Sequence, residues 1–197
     1  MVASIEKSPD GAVLRLGCQE VWKFLEIGAS VSVNGVCLTA ERIEEGFFQV
    51  TATPETLRCS NLGELEAGHV VNLEPSMRLE DFVGGHLVQG HVDAAGRLLS
   101  IRPEGNSHIF RFQAPDDILR YCVMKGSIAV DGVSLTISTL GSSWFEASII
   151  PYTLQVTRFS VLREGDLINL EADLISKYVE SHVERILKAS QTLADRT

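Results

Sequence analysis

With 197 residues, 45% of them hydrophobic and 22% charged, the chain has the make-up of a globular protein long enough for two domains of about 90–100 residues. Its net charge of −9 argues against nucleic acid and anionic membrane as partners, since both call for a basic surface. No apolar run nears the ~18 residues of a membrane span. The start lacks the charged head and apolar core of a secretory signal, and Cys18, Cys37, Cys59 and Cys122 form no CxxC pair, which fits reduced thiols in a cytoplasmic protein.

In chain order, the apolar spacing of Glu20–Leu25 predicts a short helix-like stretch. Ser30–Val33 then alternates into Asn34-Gly35, a strong hairpin dipeptide, and Val36–Ala40 runs out again. Phe47–Ala52 alternates as a further strand arm closed by Pro54, and Gly68 leads into a strand at Val70–Glu74. Residues 75–85 carry a break. The same series then returns: a helix-like Asp116–Val123, a hairpin at Asp131-Gly132, strands at Trp144–Ile150 and Leu167–Leu170, with Pro151 and Gly165 between them. After Asp173 the apolar residues Leu174, Ile175, Tyr178, Val179, Val183, Ile186 and Leu187 recur every three or four positions, an amphipathic helix that either docks on its own chain or self-associates.

The return is a duplication. Residues 30–74 laid without gaps over residues 127–171 give 15 identities in 45 positions, where average composition gives roughly 6% by chance. A repeat of 97 residues is too long for a solenoid unit and fits two copies of one small domain. Even strand spacing with Gly, Asn and Asp turns suggests an antiparallel barrel in each half.

Gly84-Gly85-His86-Leu87-Val88-Gln89-Gly90-His91-Val92-Asp93 is the densest cluster of unusual residues. His86 and His91 face opposite sides of an extended strand and make a poor zinc site by themselves. They serve either as a turn with one hydrogen-bonded wall histidine or as a ligand-facing, proton-transferring residue. Cys37 and Ser134 share one position in the two copies, either as small core residues or as the divergent polar groups of two equivalent pockets. Thr39/Thr136 and Thr56/Thr153 repeat as polar residues in apolar strands, which points to hydrogen bonding with backbone or ligand. No Gly-rich phosphate loop and no Ser-His-Asp spacing is present.

Together these motifs resemble the riboflavin synthase family, the alpha-type trimeric enzymes. The matching stretches are Asn34–Thr39, Pro54–Gly63, Gly84–Asp93, Lys125–Thr136, Ile150–Leu154 and Val179-Glu180, which span essentially the whole chain. The resemblance implies an all-β fold of two tandem six-stranded Greek-key barrels, residues 1–80 and 81–173, followed by a trimerising helix over 174–197. It implies that each barrel binds one 6,7-dimethyl-8-ribityllumazine. Two such molecules exchange a four-carbon unit, giving riboflavin and 5-amino-6-ribitylaminouracil, with no cofactor or metal. The first pocket would comprise Ser30, Cys37, Leu38, Thr39 and a strand of Thr51, Ala52, Thr53, Pro54, Glu55 and Thr56, closed by Gly90, His91 and Val92. The second would comprise Lys125, Ser134, Leu135, Thr136 and a strand of Ser148, Ile149, Ile150, Pro151, Tyr152 and Thr153, with Asp173 ending the last barrel strand. By the same resemblance Cys37 and His91 are the candidates for nucleophilic help and proton transfer, with Ser134 positioning the partner lumazine. Ser30 and His86 complete the candidate catalytic set.

Two departures shape what is expected. Family members begin Met-Phe-Thr-Gly-Ile-Val, a segment implied to form the first barrel strand and line the site, whereas this chain begins Met1-Val2-Ala3-Ser4. The first barrel is therefore expected to lack its N-terminal strand, with the start read as lying inside a longer reading frame or, alternatively, as that of a short and catalytically weak chain. Val156–Ser160 also departs from the family's Thr-Thr-Leu-Gly, which concerns loop geometry more than chemistry. The alternative function is a non-catalytic lumazine- or flavin-binding homologue.

Overall fold

The computed structural model describes residues 1–194. Alternation sets the architecture. In β3 (Ser30–Val33) and β4 (Val36–Glu44), Val31, Val33, Val36, Leu38 and Ala40 point inward, while Ser30, Ser32, Cys37 and Thr39 do not. Asn34 and Gly35 both take positive φ, at 48° and 77°, so the two-residue turn matches the strand twist and fixes Ser32 opposite Cys37 and Ser30 opposite Thr39. The later hairpin, β9 (Ser127–Val130) and β10 (Val133–Leu140), repeats this with Asp131 at 47° and Gly132 at 81°, pairing Ala129 with Ser134 and Ser127 with Thr136.

The first half adds β1 (Val2–Ser8), β2 (Gly11–Gly17), β5 (Phe47–Ala52) and β6 (Leu73–Pro75) in the sheet order β1-β2-β5-β4-β3-β6. The second adds β7 (Ala94–Glu104), β8 (Ser107–Gln113), β11 (Trp144–Ile149) and β12 (Leu167–Ala172) in the order β10-β11-β8-β7-β12-β9, closed into a barrel. The orders are the same apart from closure. The ladder Leu167–Leu170 on Ala94–Arg97 closes the second barrel. The first sheet has no such ladder and keeps only the equivalents of the two bonds that Leu98 makes beyond it, Val2 N–H to His69 O at 2.9 Å and Gly68 N–H to Val2 O at 2.8 Å. The first half has six strands, β1 among them, so the expectation of a missing N-terminal strand is corrected; what differs between the halves is closure.

Each half has its own core. The second is built on Phe110, Phe112, Phe145 and Phe159, whose ring centroids lie 5.2–6.4 Å apart. The first uses smaller groups, Leu14, Leu16, Val31, Val33, Val50 and Leu62 around Phe48. At about 1.5–3 kcal/mol per buried aliphatic or aromatic side chain, these two interiors drive the fold.

The local expectations need two corrections. The helix-like stretches reduce to one turn each, a 3₁₀ turn at Val21–Phe24 and α2 at Asp116–Leu119 after α1 (Pro54–Cys59). Only a few apolar groups there, Leu25, Ile118 and Cys122, reach a core, too little to hold a longer helix. The strands expected to run through Pro54–Thr56 and Pro151–Thr153 instead stop at Ala52 and Ile149 and turn into α1 and α3 (Pro151–Val156). Proline fits the first helical turn, where its missing N–H costs nothing, and Thr53 caps α1 by accepting the Thr56 N–H at 3.2 Å. The tail is helical as expected, α4 (Leu174–Ala194), and the final positions 195–197 of that expectation lie outside the described residues.

A buried polar network joins the halves, and its bonds come in swapped pairs. Asn61 N–H donates to Asn169 Oδ1 at 2.6 Å, and Arg158 N–H to Asn72 Oδ1 at 2.7 Å. Asn72 Nδ2 donates to Asp131 O at 2.9 Å, and Asn169 Nδ2 to Asn34 O at 2.8 Å. Reciprocity of this kind marks an approximate two-fold between the repeats, which sets the two hairpins turn to turn.

Candidate functional site

The residues expected to form two pockets divide by strand face. Side chains of Leu38, Ala52, Leu135 and Ile149 are buried in the barrel cores, so only their backbone can meet a ligand outside. Ser30, Cys37, Thr39, Thr51 and Thr53 lie on the opposite, outer face of the first sheet. Ser134, Thr136, Ser148 and Ile150 lie on the same face of the second barrel. Pro54, Glu55 and Thr56 extend the first groove along α1, and Pro151, Tyr152 and Thr153 extend the second along α3. Lys125 stands exposed beside the second groove with φ 65°, its N–H bonded to Ile137 O. Asp173 is drawn into the start of α4, where its carboxylate accepts the Ile175 N–H at 2.9 Å.

One segment, residues 84–93, visits both grooves. At Gly85 it lies so close to the second barrel that a Cβ there would sit 2.4 Å from Ser134 Oγ. His86 follows, with Nδ1 2.8 Å from Ser134 Oγ and its backbone N–H donating to the same oxygen at 3.3 Å. Its Nε2 is buried and has no partner among the described residues. Burial holds the His86 imidazole below its ordinary value, opposed by the charges of Asp173 and Glu171. One ring nitrogen of His86 thus lies on a serine and the other is buried and unpartnered among the described residues.

Five residues on, the segment reaches the first sheet. Gly90, at φ 81°, presents its carbonyl to the Cys37 N–H at 2.8 Å, and a Cβ at that position would lie 2.7 Å from Cys37 Cβ. His91 is exposed beside this contact, and Val92 packs on the first core. Asp93 returns to the second barrel through its N–H to Leu170 O at 2.9 Å and an ion pair with Lys177. A cavity of about 730 Å³ opens beneath residues 76–90, with Ser30, Cys37, Glu74, Phe82, His86 and Ser134 among its walls. That volume lies within the range of small-molecule sites.

Glu171 was not singled out from the sequence, although it and Glu74 stand at the same place in the two copies. Its carboxylate is buried and accepts the N–H groups of Gln89 and Gly90 at 2.8 and 3.0 Å. Ser32, cross-strand neighbour of Cys37, was likewise missed, and the alternation of β3 was the signal that could have found it.

Residues 1–76 and 89–173 each match the lumazine binding domain family. The riboflavin synthase of Mycobacterium tuberculosis is 46% identical over 157 residues, 78% of each chain. That of Actinobacillus pleuropneumoniae is 37% identical over 179 residues, covering 91% of this chain and 83% of its own. The Bacillus subtilis enzyme is 35% identical over 178 residues, 90% and 83% of the two chains. Among solved structures, LumP complexed with 6,7-dimethyl-8-(1'-D-ribityl) lumazine superposes with a TM-score of 0.79 at 21% identity, over 87% of this chain and 93% of that one. LumP complexed with riboflavin gives 0.80 at 22%, over 87% and 94%. At that identity the likeness is one of fold.

Proposed function

The chain belongs to the riboflavin synthase family of lumazine-binding-domain proteins, and we propose that its two grooves each bind one 6,7-dimethyl-8-ribityllumazine and bring the pair to reaction. Membership makes it an enzyme of the transferase type. The two products, riboflavin and 5-amino-6-ribitylaminouracil, together account for every atom of two substrates, so a four-carbon transfer between them needs no added oxidant or cofactor.

The observation that carries this reading is the equivalence of Cys37 and Ser134. They occupy one rung of a duplicated hairpin, both on the outer face, and both lie against the same 84–93 segment. A reaction between two identical molecules calls for two similar pockets with different polar groups at one point. Holding such a pair in register can be worth about 7–11 kcal/mol. Cys37 and His91 supply nucleophilic help and proton transfer at the first groove. At the second, Ser134 and His86 position the partner lumazine. Ser30, Thr39, Thr51, Thr53 and Thr56 on one side and Lys125, Thr136, Ser148 and Thr153 on the other offer the hydroxyls and charge that a ribityl chain can bond.

The division into residues 1–80, 81–173 and 174–197 belongs to the same reading, as do a homotrimer and a cytoplasmic location. Support for assembly comes from α4, which exposes Ile175, Tyr178, Val179, Val183, Ile186 and Leu187 along one stripe. As the family resemblance implies, the reading has the reacting pair form between the first groove of one chain and the second groove of its neighbour. No helix among the described residues is long and apolar enough to cross a membrane.

Incubation of the purified chain with 6,7-dimethyl-8-ribityllumazine, followed by absorbance and fluorescence, tests the reading. Riboflavin is expected to accumulate. Saturable lumazine binding without riboflavin would instead identify a non-catalytic lumazine-binding homologue.

A further inference from the structure

Glu171 lies on β12, a strand of the second barrel, yet the segment its carboxylate bonds lies against Cys37 of the first sheet. We propose that Glu171 is a positioning residue for the first groove, acting on Cys37 and His91 through the backbone of Gln89 and Gly90.

The carboxylate is 3% exposed, and burying a charge is costly unless its oxygens are bonded. Here both are, to consecutive N–H groups: Oε1 to Gln89 at 2.8 Å and Oε2 to Gly90 at 3.0 Å. Immediately beyond the clamp, the Gly90 carbonyl takes the Cys37 N–H at 2.8 Å. Three residues later Asp93 is bonded to the neighbours of Glu171 on the same strand, its N–H to Leu170 O and its Oδ2 to the Ala172 N–H, each at 2.9 Å. Residues 90–93 therefore leave β12 and return to it across a span of three residues, 170–172, with His91 at the tip of the excursion. Both ends of that loop are fixed, so the position of His91, next to the Gly90 contact with Cys37, is set from the second barrel.

A purely structural role for the carboxylate is disfavoured by the repeat. Glu74 holds the same position in the first sheet, is exposed, and among the described residues accepts no such pair of backbone N–H groups. The strand pairing of this hairpin thus forms without the clamp. What distinguishes Glu171 is the segment it holds against Cys37.

This inference rests on the proposed function only in its kinetic arm. In the full chain, Glu171→Gln leaves one acceptor and turns an amide donor toward the second N–H. Peptide-resolved labelling by iodoacetamide is expected to modify Cys37 at least ~5-fold faster as Gly90 lifts away, with Cys59 labelling unchanged. Riboflavin formation is expected to lose at least ~10-fold in kcat with KM within ~2-fold, the pattern of misplacement rather than lost binding. Gly90→Ala, which pushes the segment off Cys37 with Glu171 intact, is expected to give the same two signatures, and carries the test if the first variant fails to fold. Glu171→Asp, which restores the carboxylate, is expected to recover part of both. Unchanged Cys37 labelling in both Glu171→Gln and Gly90→Ala would overturn the proposal whether or not the chain turns over lumazine. Labelling that rises without any fall in the kcat of an active chain would overturn it for catalysis.

Discussion

Gly35 and Gly132 meet across the approximate two-fold between the repeats: a Cβ on Gly35 would lie 2.5 Å from the Gly132 nitrogen, and one on Gly132 would lie 2.9 Å from the Gly35 nitrogen. Each also has positive φ, so glycine is required twice over, for its conformation and for the approach of two backbones. The turn that makes each hairpin is therefore the surface through which the halves dock. Gly132→Ala is expected to lose about 2–4 kcal/mol from strain and the clash together, measured as a lowered urea midpoint.

Beside those glycines, the two halves solve one geometry with different charges. Asn34 is paired with Asn61, whereas Asp131, at the equivalent position, forms an ion pair with Arg158 at 2.9 Å and is wholly buried. Asp131→Asn is expected to cost about 3–5 kcal/mol at neutral pH, because it leaves the Arg158 guanidinium buried without its countercharge. Asp131→Asn/Arg158→Asn recreates the neutral pair of the first half and should recover most of that loss in a double-mutant cycle by chemical denaturation.

Acid titration of stability gives a further check on Asp131. Burial pushes its carboxyl up to about 6 against the attraction of Arg158. Between the ordinary carboxylate value and about 6, the native state keeps a proton that the unfolded chain has released. This contribution favours the native state in acid and is lost as pH rises through about 6. Asp131→Asn/Arg158→Asn should remove that slope from urea midpoints taken between pH 4 and 7.

His86 works in the opposite sense. Burial lowers its imidazole, so the unfolded chain takes up the proton first as pH falls through the ordinary histidine range, and stability is lost on acidification. His86→Gln is expected to flatten the decline in urea midpoint between pH 7.5 and 5.5. An unaltered decline would mean that His86 is not shielded as described.

If the reacting pair spans two copies, inactive chains should rescue one another. Cys37→Ala and Ser134→Ala are each expected to lose about 10²-fold or more in turnover. Mixed after dissociation and reassembly, they can form sites with an intact first groove from one chain and an intact second groove from the other. Recovery of a substantial fraction of wild-type turnover is expected. Mixtures no more active than the separate variants would place both grooves of a working site in one chain.

The hairpins were legible because Asn34-Gly35 and Asp131-Gly132 are local signals, and the duplication doubled them. The pocket residues came from the family resemblance; alternation alone would have set Leu38 and Leu135 inside and added Ser32 to the outer face. What was misread was also local. The expected pocket strands run on through Thr56 and Thr153, where Pro54 and Pro151 in fact open helices, and the Thr53 cap before Pro54 was the cue. The rest could not be read, because its partners are far apart in the chain. Glu171 acts on backbone N–H groups 81 and 82 residues away, and Asn169 reaches Asn34 across 135. A carboxylate that binds backbone leaves no trace in the residue types it binds.

The most direct test of paired-groove chemistry is its stoichiometry. The purified chain is titrated with 6,7-dimethyl-8-ribityllumazine to count bound ligand, and substrate loss is then followed with riboflavin gain in the same sample. Two bound lumazines per chain, and two consumed for each riboflavin formed, is the expected result. One bound lumazine per chain with no riboflavin formed would contradict it.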